Sequence, residues 1–452
     1  MLRVRVALAL KLRIECAPMA ALIPHDVSFP PGFVWGTASS SHQSEGNNVH
    51  NDWWEWEQQP GRIRHGQRSG RGNNFYECYD SDFALLADFG LTHYRLSIEW
   101  SRIEPEEGRV NHAELDHYRR VLESAQVRGV TPWVNLHHFA LPRWLAAKGG
   151  FLHEENLGYW RRHVERVAAA LAPLATYWHP INEANAYAAG SYLIGEMPPG
   201  QRDFAAFLRI LRHTLLLYRD AYAILKSARP AVQVGPIHMM IPVFPTNPDS
   251  EDDQLLARNF DALFNDLPLR ALRDGVIALP GSEPEPVSGL KGAADFFGAN
   301  YYSAASIDHR AVQQLSPYPR DAQRLTQLGN APYPEGLRLI LQRVRDTQLG
   351  VPIYVSENGI GTDDDRWRIA YIAQHLHQMG QAIADGCDVR GYFYWTSVDN
   401  FEWMRGWTAQ FGLIGFDADP SARRPNPSAD FLGTVARRNR LAVADVERFT
   451  AA

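Results

Sequence analysis

Two glutamates directly follow apolar, strand-like runs. TYWHPIN at 176–182 ends in Asn182-Glu183, and IYVS at 353–356 runs into Glu357-Asn358-Gly359. A pair of carboxyl groups facing one substrate can cleave a glycosidic bond. One must donate a proton to the leaving oxygen while the other stays ionised and attacks or supports the anomeric carbon. A single glutamate after a strand is more often a salt-bridge partner at a strand end. Two of them, each beside an asparagine, move the reading toward chemistry.

The elements that must carry these groups alternate along the chain. Apolar runs at 33–38, 92–98, 130–136, 176–182, 232–238, 295–300, 353–356 and 388–395 read as eight buried strands. Helical spacing predicts helices over 111–128, 158–171, 204–228 and 366–385 between them. The fold class expected is α/β, a single (β/α)8 TIM barrel with long βα loops. In such a barrel reactive groups gather at the C-terminal ends of the strands, and strands four and seven, which end in the two glutamates, face each other across the mouth. The domain is expected over 25–452. Residues 1–24 read as a tail in which Arg3, Arg5, Lys11 and Arg13 break up the apolar VALALKL, with Met19 an alternative start.

Composition removes other classes. With 452 residues, 45% hydrophobic, 21% charged and a net charge of −6, the chain is an ordinary globular one, with no apolar run that spans a membrane and no global pull on nucleic acid. Arg62, Arg64, Arg68 and Arg71 form the one local basic run, without interleaved aromatics, and read as a solvated loop. The acidic residues at 249–253 and the Pro- and Gly-rich 280–291 read as connections on the outside of the barrel. Cys16, Cys78 and Cys387 fit neither a disulfide framework nor a thiolate metal site, which suggests a reducing, cytoplasmic setting. No His and Cys cluster has metal-ligand spacing and no Gly-rich loop cradles phosphate, so no cofactor and no metal are expected.

Seven ordered blocks then carry a family resemblance: FPPGFVWGTASSSHQSEG at 29–46, YRLSIEWSRIEP at 94–105, NLHHFALP at 135–142, NEA at 182–184, ANYYS at 299–303, SENG at 356–359 and YFYWTSVDNFEW at 392–403. Together they resemble glycoside hydrolase family 1, the retaining β-glucosidases and β-galactosidases. The resemblance implies Glu183 as general acid/base and Glu357 as nucleophile, in a double displacement through a covalent glycosyl-enzyme; retention calls for carboxyls about 5–5.5 Å apart. It implies Arg95, Asn300 and Tyr302 as catalytic support, and Gln43, His138, Asn182, Glu402 and Trp403 around the sugar hydroxyls with Trp395 beneath the ring. The implied partner is a small β-glycoside or oligosaccharide, with neither nucleic acid nor membrane involved. Glu402 stands where phosphoglycosidase relatives carry serine, which implies an unphosphorylated sugar.

Several positions depart from the family pattern. Ala184 replaces a proline, Phe139-Ala140 replaces Trp-Asp, Gln410 replaces an arginine, and Asn330 stands where a tryptophan usually lines the aglycone side. Loss of that ring would weaken oligosaccharide binding by about a kcal/mol and favour small or irregular aglycones. The leading expectation is an exo-acting β-glucosidase with β-galactosidase and β-fucosidase side activity. Alternatives are a transglycosylating β-glycosidase and a non-catalytic sugar-binding barrel.

Overall fold

The computed structural model describes residues 22–311 and 315–451. Most of the expected N-terminal tail, with Met19 and Cys16, lies outside the described residues. Leu22 and Ile23 already pack on the core.

Eight parallel strands form the barrel: β1 (Val34–Ala38), β2 (His93–Ser97), β3 (Thr131–Asn135), β4 (Tyr177–His179), β5 (Gln233–Val234 and Ile237–Met239), β6 (Phe297–Asn300), β7 (Ile353–Asn358) and β8 (Val389–Trp395). They pair in sequence order, and β8 pairs with β1. The two segments of β5 sit at the two ends of the hydrogen-bonded sheet, so this one strand closes the barrel, pairing with β4 through its first segment and with β6 through its second. A bridge from Asn182 to Ile237 completes the seam. The break falls at Gly235, where a Cβ would lie 2.5 Å from the Phe296 carbonyl oxygen. Only glycine lets the two backbones approach that closely.

Each strand is followed by a helix: α1 (Phe75–Phe89), α2 (His112–Val127), α3 (Leu157–Leu171), α4 (Phe204–Ala228), α5 (Leu267–Asp274), α6 (Pro334–Asp346), α7 (Asp365–Ala384) and α8 (Pro427–Arg438). Local chemistry starts them: Asn111, Asp203 and Asp364 each accept a backbone N–H of the first turn. The acidic run at 249–253 differs from expectation. Ser250 caps a helix, Glu251–Phe260, whose first turn these acids occupy, where negative charge meets the helix N-terminus favourably. Of the arginines of 58–74, Arg62, Arg68 and Arg71 lie on a loop as expected, while Arg64 begins a short 3-10 helix, Arg64–Gly66; Arg62 covers the Trp56 ring at 3.8 Å.

One half of the barrel interior is filled with rings. Trp133 stacks on Tyr177 at 3.8 Å and meets Phe296, Tyr354 and Phe393 edge-on. These residues come from strands all around the barrel, or from the residue before one, so they can meet only inside it. Trp133→Ala should therefore leave a cavity bounded by rigid strands and cost about 3–5 kcal/mol, read as a lowered urea midpoint with an unchanged slope.

Candidate active site

The site residues singled out from sequence lie at or beyond the C-terminal ends of strands, except Arg95, which sits mid-strand rather than at the end of its strand. Arg95 is in β2, Asn300 ends β6, Glu357 is in β7 and Trp395 ends β8, while Gln43, His138, Asn182, Glu183, Tyr302, Glu402 and Trp403 follow β1, β3, β4, β6 and β8. The parallel sheet brings them to one mouth. Glu183 stands at a sharp turn with φ +43°, its N–H bonded to the Ile237 carbonyl at 3.0 Å, immediately before the helix Ala184–Ala188. Ala184 takes the first helical position, which suits alanine as it would proline. Phe139 at φ +70° and Trp403 at φ +45° are also left-handed. Non-glycine residues held this way collect where a fold must aim side chains.

The two carboxyl groups meet different partners. Glu357 is buried and takes a donor on each oxygen: the Arg95 guanidinium on Oε1 and the Tyr302 hydroxyl on Oε2. Both oxygens act only as acceptors, the arrangement that suits an ionised carboxylate. Glu183 accepts from Asn300 Nδ2 at 2.7 Å. Its burial, and then the nearby charge of Glu357, push its pKa above the usual carboxylate range, while the Asn300 bond works against the rise. Burial first, and then Glu357, drive the Tyr302 hydroxyl well above its ordinary value, so it stays a donor.

A directed chain of hydrogen bonds runs from Arg95. The guanidinium can only donate, so the group it meets at 2.9 Å must be Asn182 Oδ1, and Asn182 Nδ2 then faces His138 Nε2 at 3.2 Å. Nε2 must accept, which puts the proton of the neutral ring on Nδ1, 3.4 Å from Ser97 Oγ. Burial and then the charge of Arg95 hold this imidazole well below its ordinary pKa, in keeping with a neutral ring. Asn300 is oriented in the same way: Ser356 Oγ lies 2.7 Å from its Oδ1, leaving Nδ2 for Glu183.

The remaining residues expected around the sugar form a second group. Gln43 Nε2 donates to Glu402 Oε2 at 3.1 Å, and Ser40 Oγ donates to Gln43 Oε1 at 2.7 Å. Burial raises the Glu402 carboxyl to about 8, helped by Glu357. His138 lies over Trp395 and Trp403 with ring centroids 5.8 and 6.0 Å away. Phe139 packs against His138 and Trp403 at 5.1 and 5.3 Å, so an aromatic ring still lines this side although it is not tryptophan.

The other two departures meet in one turn. Asn330 is held by Thr326 Oγ1 and Ser303 Oγ, each at 3.1 Å, and Gln410 N donates to Gln327 Oε1 at 2.7 Å. Sequence reasoning missed Ser40, Ser97 and Ser356, although all three lay inside quoted blocks, because a serine carries no signal of its own; Ser40 serves Gln43 three residues on, while Ser97 and Ser356 meet side chains brought from other strands. It also missed Asp253, Asp308 and His309, whose ligand-type atoms lie within 4.8 Å of one another. There His309 Nδ1 and Asp253 Oδ1 already bond each other at 2.5 Å.

The chain resembles known proteins along nearly its whole length. Residues 25–441 match the family described as Glycosyl hydrolase family 1. A solved β-glycosidase from Pyrococcus horikoshii superposes with a TM-score of 0.85 at 36% identity, covering 94% of this chain and 98% of that one. β-Glucosidase A of Thermotoga maritima is 30% identical over 91% of this chain and 98% of its own. The 6-phospho-β-galactosidase of Streptococcus mutans is 30% identical over 89% of this chain and 97% of its own.

The hydrogen-bond chain makes a direct expectation. In ¹⁵N-histidine NMR, His138 should remain a neutral ring protonated on Nδ1 at pH 6; a protonated Nε2 or an imidazolium there would contradict the order of donors set by Arg95.

Proposed function

The chain belongs to glycosyl hydrolase family 1 and is a glycoside hydrolase on a TIM barrel, and from that premise we propose that it is a retaining exo-β-glucosidase, with β-galactosidase and β-fucosidase side activity, whose acid/base is Glu183 and whose nucleophile is Glu357. The observation that carries the assignment is the contrast between the two carboxyls. One takes a guanidinium and a phenol on its oxygens. The other, among the described residues, takes one amide donor, from Asn300, and has a raised pKa. The first is fitted to attack as an anion, the second to deliver a proton.

In the first step a Glu357 oxygen forms a bond to the anomeric carbon as the bond to the leaving oxygen breaks, and the Glu183 proton goes to that oxygen. The glycosyl-enzyme ester is then opened by water, whose proton returns to Glu183. Two inversions give net retention. Asn182, oriented by Arg95, is placed to meet the sugar 2-hydroxyl, where contacts strengthen in the transition state. Gln43, Glu402, His138 and Trp403 meet the other hydroxyls, and Trp395 offers its face.

An unphosphorylated sugar is favoured despite the likeness to a 6-phospho-β-galactosidase. Glu402, charged or neutral, brings no cation to a 6-phosphate, and Gln43 occupies one of its oxygens. The cofactor-free chemistry needs only the carboxyl pair.

Hydrolysis of p-nitrophenyl β-glucoside, β-galactoside, β-fucoside and β-glucoside 6-phosphate, with the first-formed anomer followed by NMR, tests this reading. The expected result is β-anomer from the unphosphorylated substrates and a loss on the order of 10⁴-fold or more in Glu357→Gln. First-formed α-anomer, or preference for the 6-phosphate, would sink it.

The pH profile adds a further expectation. Glu183 must be protonated to act, so activity falls as pH rises through its pKa. Because that pKa is raised, the alkaline limb of kcat/KM should lie above the ordinary glutamate value of about 4.3. In Glu183→Gln that limb should vanish, and alkyl glucosides should suffer more than nitrophenyl ones, whose leaving group needs less protonation.

A further inference from the structure

We infer that Ser356 is a positioning residue for proton delivery: by donating to Asn300 Oδ1, its hydroxyl turns the Asn300 amide nitrogen onto Glu183 Oε1 and so confines the acid proton of Glu183 to Oε2. The inference rests on the assignment of Glu183 as the acid and adds which of its oxygens delivers the proton and what decides it.

The order of donors comes first. Arg95 can only donate, so Asn182 presents Oδ1 to it at 2.9 Å. That same oxygen lies 3.4 Å from Asn300, whose amide can be directed at it favourably only through its nitrogen. Asn300 Nδ2 therefore faces Asn182 and Glu183, and its Oδ1 faces Ser356, where the hydroxyl must donate, at 2.7 Å. The contact with Asn182 is long, so Ser356 is the firmer of the two anchors that keep the amide from turning over. Glu183 Oε1 in turn accepts from Asn300 Nδ2 at 2.7 Å. A proton on that oxygen would meet the amide hydrogen, which leaves Oε2 to carry it. With the amide turned over, Oδ1 would accept the acid proton and hold it away from the leaving oxygen.

The fold builds a place for this hydroxyl. Ala299 pairs with Val355 and Asn300 with Glu357, so Ser356 is the extra residue of a β-bulge in β7. Successive side chains of a regular strand point to opposite faces. At the bulge Ser356 reaches Asn300 while Glu357 reaches Arg95 and Tyr302. The hydroxyl fills a slot that a glycine leaves open: a Cβ on Gly298 would lie 2.7 Å from Ser356 Oγ and 3.1 Å from both Ile237 and the Pro236 carbonyl oxygen. Ser356 is 2% exposed, so an Asn300 Oδ1 deprived of it forfeits a buried hydrogen bond.

The charges around Glu183 stay the same when this serine is changed. Burial is the largest cause of its raised pKa; Glu357 of β7 and Glu402 after β8 add to the rise, Arg95 of β2 opposes it, and Tyr302 after β6 stands close enough to feel Glu183 in return. The Asn300 bond favours the carboxylate, and it is the one influence on Glu183 that passes through Ser356.

The test reads the alkaline limb of kcat/KM and the ratio of kcat/KM for p-nitrophenyl β-glucoside over octyl β-glucoside, whose alkoxide needs the proton to leave. In Ser356→Ala the limb should move to higher pH by about one unit and the ratio should rise about tenfold. Ser356→Thr, which keeps the hydroxyl, should restore both. Ser428→Ala, which removes another buried, hydrogen-bonded serine at the start of α8, should move neither. Limb and ratio both unmoved in Ser356→Ala, or the same shifts in Ser356→Thr, overturn the inference. If Glu183→Gln leaves the alkaline limb in place, the assignment of the acid itself fails, a result separate from the Ser356 comparison.

Discussion

The buried ion pair of Arg95 and Glu357 sets the order of the whole site. Both partners are almost wholly shielded from water, at 1% and 3% exposure, so neither charge has solvent to fall back on. Removing one partner from such a pair leaves an uncompensated charge at a cost of about 3–5 kcal/mol. The guanidinium does more than neutralise. By donating to Asn182 it fixes that amide, which then dictates the tautomer of His138. Asn182 Oδ1 also lies 3.4 Å from Asn300 Nδ2, the amide that holds Glu183. One cation thus orients Asn182 and His138 and is linked to both carboxyls.

The same geometry keeps two identical side chains different. Glu357 is paired with Arg95 on one oxygen and held by Tyr302 on the other, while Glu183, among the described residues, has no cation bonded to it and feels the negative charge of its neighbour. The barrel makes this division possible because rigid parallel strands deliver each group to the mouth from a separate direction. The Trp133 and Tyr177 rings and their neighbours pack inside the barrel, while left-handed residues such as Glu183, Phe139 and Trp403 sit on the C-terminal loops.

Much of this was legible in order and kind. Each of the eight strands falls within one or two residues of its apolar run, apart from β4, whose paired part stops at His179, and the break in β5. Helix starts were readable where a capping side chain is local, as at Asp364. The acidic run at 249–253 misled because charge was taken as a mark of an external connection, whereas after Ser250 it is the favoured composition of a first helical turn. Asn330 and Gln410 were visible as departures, but nothing in their spacing said that both touch the turn at 326–330. Eighty residues separate them along the chain.

By itself the sequence determined the alternation of strand and helix, the two glutamates at strand ends, and the ordered blocks that mark the family, because these depend on residue type and local spacing. Only the tertiary structure decided which carboxyl takes the guanidinium, which has its pKa raised, and which way each amide points. Those properties are set by burial and by single hydrogen bonds between side chains far apart in the chain. Both arise only when the barrel closes.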